Sequence, residues 1–321
     1  MMRYLIVGGT SIFGVGIIDQ LIVEPETEII IATNLPNEVI FERRKMEWRE
    51  LDLRNVEETN RIIKEAQADV IFDLATQDSV GYSWSNPTET VDVNVIGTIN
   101  LLNAVRDYSA KSRVVMGGSG EEYGNLTFSN LPAKENANPI PNNIYGATKV
   151  CQTMFAKLYY QAYGLDIIVL RTFYETSTQQ DDRFAISNFC KQFAEIEKGK
   201  RAPVVYTGNL NIIRDFTDVD DLTRAFIIIA KNGKSGEVYN AARGQGTTLL
   251  DVVRILERLT NIKVKIRVDS KRVRPMDSAA VVADIDKIKK DTGWEPVISR
   301  EVTIKKILNY WRKKYSSEQL C

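Results

Sequence analysis

Tyr145 and Lys149 stand four residues apart, and Ser119 lies 26 positions before Tyr145. A spacing of four puts two side chains on one face of a helix. A free phenol has a pKa of about 10, too high for easy proton exchange at neutral pH. A neighbouring ammonium stabilises the phenolate and lowers that value. The pair can then act as a tuned general acid or base. A serine hydroxyl beside it can hold the oxygen of an alcohol or ketone. Taken alone, Tyr-x-x-x-Lys is a weak signal, because both residue types are common on helix surfaces.

No histidine occurs among the 321 residues. His-based triads and His-ligated metals are therefore excluded, and Tyr, Lys, Ser and carboxylates remain for acid/base work. Cys151, Cys190 and Cys321 are scattered, without metal-ligand spacing. Reduced thiols in a cytoplasmic protein are the expectation. The 42 basic and 42 acidic residues cancel, so net charge suggests neither nucleic acid nor an anionic membrane as partner. No stretch approaches the roughly 20 apolar residues of a membrane span. Met1, Met2 and Arg3 lead straight into an apolar run, and no signal-peptide pattern is expected.

The elements that must position these side chains can be read from the pattern. Strand-like apolar runs at 4–8, 28–32, 47–51, 70–74, 113–116 and 166–171 alternate with helical stretches at 13–23, 56–66, 88–108 and 145–163. Such alternation predicts an α/β fold with a doubly wound parallel sheet. The first strand runs into Gly8-Gly9-Thr10-Ser11-Ile12-Phe13-Gly14 and then a helix. A turn of small residues lets the backbone approach a pyrophosphate at a helix N-terminus.

Together, this turn, Ser119, Tyr145 and Lys149 resemble the extended short-chain dehydrogenase/reductase superfamily, from Met2 to about Trp311. The resemblance implies a dinucleotide-binding Rossmann domain over 1–172, with later returns near 203–234 and 238–242. It implies a smaller C-terminal substrate-binding lobe from 173–202 and 235–321. The family turn usually reads Gly-x-x-Gly-x-x-Gly; here Ser11 takes the second glycine position. Cofactor contacts are expected from Gly8 to Gly14, including Thr10, Ile12 and Phe13, and from Asp52 with Leu53 and Leu74-Ala75-Thr76. A carboxylate at the end of the second strand would bond the ribose of NAD and repel the phosphate of NADP. This chain has Thr33-Asn34 there, with Arg43 and Arg44 beyond. That pattern leans to NADP, with NAD possible; solvation of the arginines is the competing account.

Other segments resemble the GDP-mannose 4,6-dehydratase and GDP-4-keto-6-deoxymannose reductase branch. These are Ser79-Val80-Gly81-Tyr82-Ser83-Trp84, Gly208-Asn209-Leu210, Arg214-Asp215-Phe216 and Arg272-Val273-Arg274-Pro275-Met276-Asp277. The resemblance implies a nucleotide-diphosphate sugar as ligand, met by Val80, Tyr82, Ser83, Tyr174, Asn209, Arg214, Arg274 and Asp277. A guanidinium fork matches phosphate geometry, although a surface salt bridge is the fate of many an isolated arginine. Tyr174 is a departure, because the family usually has Asn there. Glu121, two after Ser119, matches the carboxylate that removes the C5 proton in the dehydratases, but the reductases carry the same Ser-x-Glu-Glu-Tyr-Gly pattern. Two reactions stay open: NADP-dependent reduction of a nucleotide-linked 4-keto-6-deoxyhexose, and 4,6-dehydration with tightly held cofactor. A non-catalytic nucleotide-binding scaffold is a remote third. The helices at 88–108 and 145–163 match those that form a dimer seam in the family, which implies a homodimer.

Overall fold

The computed structural model describes residues 1–126, 128–272 and 278–317. Arg274, Asp277 and Cys321 lie outside these described residues. Strands β1 (Met2–Val7), β2 (Thr27–Asn34), β3 (Met46–Glu50), β4 (Val70–Asp73), β5 (Arg113–Ser119), β6 (Ile167–Thr172) and β7 (Val238–Ala241) form one sheet. Its order is β7-β6-β5-β4-β1-β2-β3, and every pairing is parallel. This is a doubly wound Rossmann sheet, whose order reverses between β1 and β4. The central strands read as unbroken apolar runs because both faces are covered: Leu5, Ile6, Phe72, Val114 and Leu170 are all fully buried.

One face packs on α1 (Ile12–Leu21) and α6 (Val219–Asn232) through Ile17, Ile18, Leu222 and Phe226. The other packs on α2 (Val56–Ala66), α3 (Gly97–Tyr108) and α4 (Ile144–Tyr163) through Ile62, Leu101, Val105 and Ala156. A separate apolar cluster joins α5 (Ala185–Glu197), α7 (Leu249–Thr260) and α8 (Arg300–Ser317). Caps fix the helix starts. Asn55, Asn143 and Thr248 each accept a first-turn backbone N–H. Gly164 ends α4 in the left-handed region at φ 68°. The helix before α3 contains one π turn, Asp92–Ile96, a device often found at functional sites. Among the described residues, no helix is long and apolar enough to cross a membrane.

Candidate active site

The glycine turn leaves the end of β1 and sits at the reversal point of the sheet. Gly8 has φ +84°, and a Cβ there would come within 2.8 Å of Ala75 N. A Cβ on Gly14 would lie 2.5 Å from Gly8 O. Both positions therefore require glycine, and the backbone of Gly8 packs closely against Leu74-Ala75. Ser11, the departure from the family turn, does not point outward. Its hydroxyl donates to Gly8 O at 2.7 Å and accepts from Gly14 N at 3.1 Å. Ser11 thus caps α1, while the first-turn N–H groups of Ile12 and Phe13 have no intrahelical acceptor. Those donors, at the positive end of the helix, suit a pyrophosphate. The cradle fits a nicotinamide dinucleotide.

Other expected cofactor residues fall into two groups. Thr76 Oγ1 donates to Asn94 Oδ1 at 3.0 Å, and Asn94 also donates to Thr148 Oγ1 at 2.9 Å, so the π turn ties this segment to α4. Asp52 is held by the Arg54 fork at 2.6 Å, and that hydrogen bond keeps its carboxyl below the usual range. Leu53 is buried beneath it. Thr33 is buried too, and its Oγ1 accepts from Gly8 N at 3.0 Å. It supports the turn from below. Asn34 donates to Leu35 O. Arg43 is turned away to α1, where Nε pairs with Asp19 at 3.2 Å and the guanidinium lies 4.8 Å from the Phe41 ring. A carboxylate that the strand-end reading passed over, Glu38, reaches Thr10 instead.

Ser119 ends β5 and Tyr145 opens α4. Ser119 and Tyr145 are both buried, and the Ser119 hydroxyl, which accepts from Glu121 N at 3.2 Å, acts to lower the phenol's pKa. Lys149 Nζ lies 5.8 Å from the Tyr145 ring centroid and donates to Gly117 O at 2.8 Å. The expected lowering of the phenol does not arise in the protein alone. Burial raises the Tyr145 pKa, and Glu175, Asp78 and Glu121 add to the rise against the lowering influence of the Ser119 hydroxyl. Burial also pushes Lys149 down to about 8, opposed by Asp73, Glu122 and Asp78. The main electrostatic partner of Lys149 is therefore Asp73, at the end of β4, a residue the sequence reading missed. Burial raises Asp73 to about 6, and its Oδ1 has no hydrogen-bond partner.

Behind Ser119 lies a fully buried pair. Arg171 Nη2 meets Glu122 Oε2 at 2.7 Å, and Glu122 Oε1 accepts from Ser119 N at 3.1 Å. This fixes the strand end that carries the serine. Glu121, the next residue back, faces the other way. It accepts from Asn143 Nδ2 at 2.8 Å and from the Tyr174 hydroxyl at 3.4 Å.

On the substrate side, Arg214 is buried and lies 5.2 Å from the Tyr174 ring, and its Nη1 donates to Ile213 O and Ser278 O. Tyr174 occupies φ +31°. Val80 opens the short helix Val80–Ser85. Tyr82 is exposed and donates to Glu89. Ser83 is fully buried; its hydroxyl donates to Val80 O and accepts from Tyr145 N, so it anchors Tyr145. Asn209 is exposed and accepts from Asn211 N. The structure thus joins Ser119, Glu121, Tyr145, Lys149, Tyr174 and Arg214 in one neighbourhood.

A family model described as GDP-mannose 4,6 dehydratase matches residues 5–307. The GDP-6-deoxy-D-mannose reductase of Pseudomonas aeruginosa is 27% identical, over 78% of this chain and 82% of its own. A UDP-glucose 4-epimerase from Thermotoga maritima, solved with UDP-glucose, superposes at a TM-score of 0.86 with 26% identity, over 98% of this chain and all of its own. The P. aeruginosa protein RMD, solved with NADPH, shares the fold at a TM-score of 0.83 and 24% identity, over 97% of this chain and 99% of its own. Fold and site define an enzyme of the extended short-chain dehydrogenase/reductase superfamily. Within it, the chain belongs to the GDP-mannose 4,6 dehydratase family.

Proposed function

We propose that the protein reduces the 4-keto group of a nucleotide-linked 4-keto-6-deoxyhexose, with GDP as the carrier. The observation that carries this reading is the burial of Ser119, Tyr145 and Lys149 together, with Lys149 Nζ 5.8 Å from the Tyr145 ring. A bound nicotinamide dinucleotide supplies the hydride. Ser119 donates to the ketone oxygen, and Tyr145 gives that oxygen its proton. Burial keeps the phenol protonated at neutral pH, which suits an acid. Lys149 offsets the charge left on Tyr145 once the proton has gone. Arg214 meets the diphosphate in this reading, because a guanidinium fork matches phosphate geometry. The GDP-linked substrate takes support from the likeness to the P. aeruginosa reductase.

A second reading, 4,6-dehydration, has one observation in its favour. Glu175 and Glu121 both act electrostatically on Tyr145, and burial raises Glu175 to about 7. A carboxylate and a proton-bearing carboxyl are what a C5 base and an acid for the departing hydroxyl require. The two readings separate cleanly. With GDP-4-keto-6-deoxymannose and NADH or NADPH, the reductase consumes reduced cofactor and releases a GDP-6-deoxyhexose. With GDP-mannose alone it makes no 4-keto product, whereas water loss under that condition establishes the dehydratase.

The homodimer is proposed on the helical stretches 145–163 and 88–108. Met154 and Leu158 on one, and Val91 and Ile96 on the other, are exposed. Sedimentation at micromolar concentration gives the mass; a monomer there refutes the seam.

A further inference from the structure

The loop after β2 brings a carboxylate back onto the glycine turn. Leu35, Pro36, Asn37 and Glu38 form a tight turn closed by Glu38 N donating to Leu35 O at 3.2 Å. Proline at the second position presets its φ, and Asn37 at the third has φ +67°, as a type II turn demands. The turn aims the Glu38 side chain backward. Its Oε2 accepts from Thr10 Oγ1 at 2.7 Å and from Leu35 N at 2.8 Å. Thr10 is the third residue of the cofactor turn, and Gly9 N donates to Thr33 O at the end of β2. The carboxylate therefore stands where the end of β2 meets the glycine turn. In a Rossmann sheet that is where the adenosine ribose is read.

The placement of the cations agrees. Arg43 pairs with Asp19 on α1 and stacks on Phe41. Asp19 lies in the second half of that helix, away from the N-terminal turn. Thr33, at the strand-end position usual for a ribose acid, is buried with its hydroxyl on Gly8 N.

We propose that Glu38 is the cofactor-selecting residue: it accepts the ribose 2′-hydroxyl of NAD(H) and repels the 2′-phosphate of NADP(H). This reverses the NADP leaning of the sequence. Oε1 serves the ribose while Oε2 keeps Leu35 N, so the turn need not open. The inference rests on the reading of the glycine turn as a dinucleotide site.

The test is calorimetric or fluorescence titration of the whole protein with NADH and NADPH. Wild type binds NADH more tightly than NADPH by roughly 10–100-fold, the range of one charge-assisted hydrogen bond gained or lost. Glu38→Gln keeps the shape and removes the charge; it narrows that ratio to within about threefold, chiefly by tightening NADPH. Glu38 is exposed, and circular dichroism checks that the variant keeps its fold. Tighter NADPH in wild type, or an unchanged ratio in Glu38→Gln, overturns the assignment of Glu38 while leaving the dinucleotide site intact. Should Glu38→Gln not fold, the wild-type ratio alone decides. Binding of neither dinucleotide refutes the cofactor site itself, and the Glu38 inference with it.

Discussion

The Tyr174 phenol donates to Glu121 Oε1 at 3.4 Å while its ring lies 5.2 Å from the Arg214 guanidinium. One side chain thus spans Glu121, beside the tyrosine proposed as proton donor, and the cation proposed for the diphosphate. The ring also meets Phe216 edge-on at 6.1 Å. Its backbone sits at φ +31°, a region where a bulky residue is strained and Asn is better tolerated.

That strain gives the first prediction. Tyr174→Asn relaxes the backbone but loses both contacts. Its KM for the nucleotide sugar rises by roughly tenfold, about the worth of one cation–π contact with a long hydrogen bond. Thermal stability stays level or improves. Tyr174→Phe keeps the ring and loses only the hydroxyl, so it shows the smaller KM effect. Equal KM values for wild type and Tyr174→Asn in steady-state kinetics would mean that the ring does not organise the site.

Tyr145→Phe removes the acid and keeps the packing. Turnover falls by roughly 10²–10⁴-fold, the range for a positioned general acid, while dinucleotide affinity measured by titration changes little. Near-normal turnover would dismiss Tyr145 as the proton donor.

Asp73 and Lys149 set the alkaline side of the pH profile. Lys149 is depressed to about 8 by burial, and Asp73 is its largest opposing influence. In the free enzyme, Lys149 therefore loses its charge as pH rises through about 8, and kcat/KM falls with it. Asp73→Asn removes a neighbouring negative charge, which lowers the Lys149 pKa further and moves this limb to lower pH. The stability effect has the opposite sign. Between about 8 and the unfolded value of about 10.4, the unfolded chain holds a proton that the native chain lacks, so the Lys149 contribution to stability rises with pH there. A kcat/KM profile whose alkaline limb does not move in Asp73→Asn would remove Asp73 from this role.

Much of this arrangement was legible in the sequence, and the reasons differ by residue. The strand runs at 4–8, 70–74 and 166–171 stand out because buried parallel strands are apolar on both faces, and they coincide with β1, β4 and β6. The extended superfamily was legible because its turn and its Ser, Tyr and Lys recur in order along the chain. The inward orientation of Ser83 was not legible because a helix of six residues can present a serine inward as easily as outward. Glu38 was missed because strand-end reasoning stops at Asn34, whereas the type II turn at Pro36-Asn37 folds the chain back by four residues. Asp73 and Glu175 carry no motif; only burial beside Lys149 and Tyr145 makes them chemical.

Glu122 and Arg171 offer a stability test of the support beneath Ser119. Both are almost fully buried, and Glu122 also accepts from Thr153 Oγ1 at 2.8 Å. Removing one partner leaves the other charge unpaired, at a cost of about 3–5 kcal/mol. Arg171→Met should therefore lower the denaturant midpoint sharply. Glu122→Gln, which retains acceptors and donors, should lower it less. Equal midpoints in all three proteins, by chemical denaturation, would show that the pair carries no net stability.

Glu175 decides between the two reactions. It follows Tyr174 and opens the two-residue strand Glu175–Thr176, which pairs with Thr217–Asp218. Burial, with smaller contributions from Asp78 and Glu121, raises it to about 7. The native chain thus holds a proton that the unfolded chain has lost, over the window from about 4.3 to about 7. Stability falls as pH rises through that window, and Glu175→Gln, which cannot ionise, flattens the fall. The kinetic effect depends on the chemistry. A 4-keto reduction takes its proton from Tyr145, so Glu175→Gln leaves NAD(P)H consumption within about threefold of wild type, a difference well under the roughly 10²-fold expected for loss of a general acid. An elimination needs a second proton donor for the departing hydroxyl, and the same variant would then lose water release by roughly 10²-fold or more. Both assays on one preparation separate the cases: a flattened stability profile with intact keto reduction supports the reductase, and a collapse of activity on GDP-mannose supports the dehydratase.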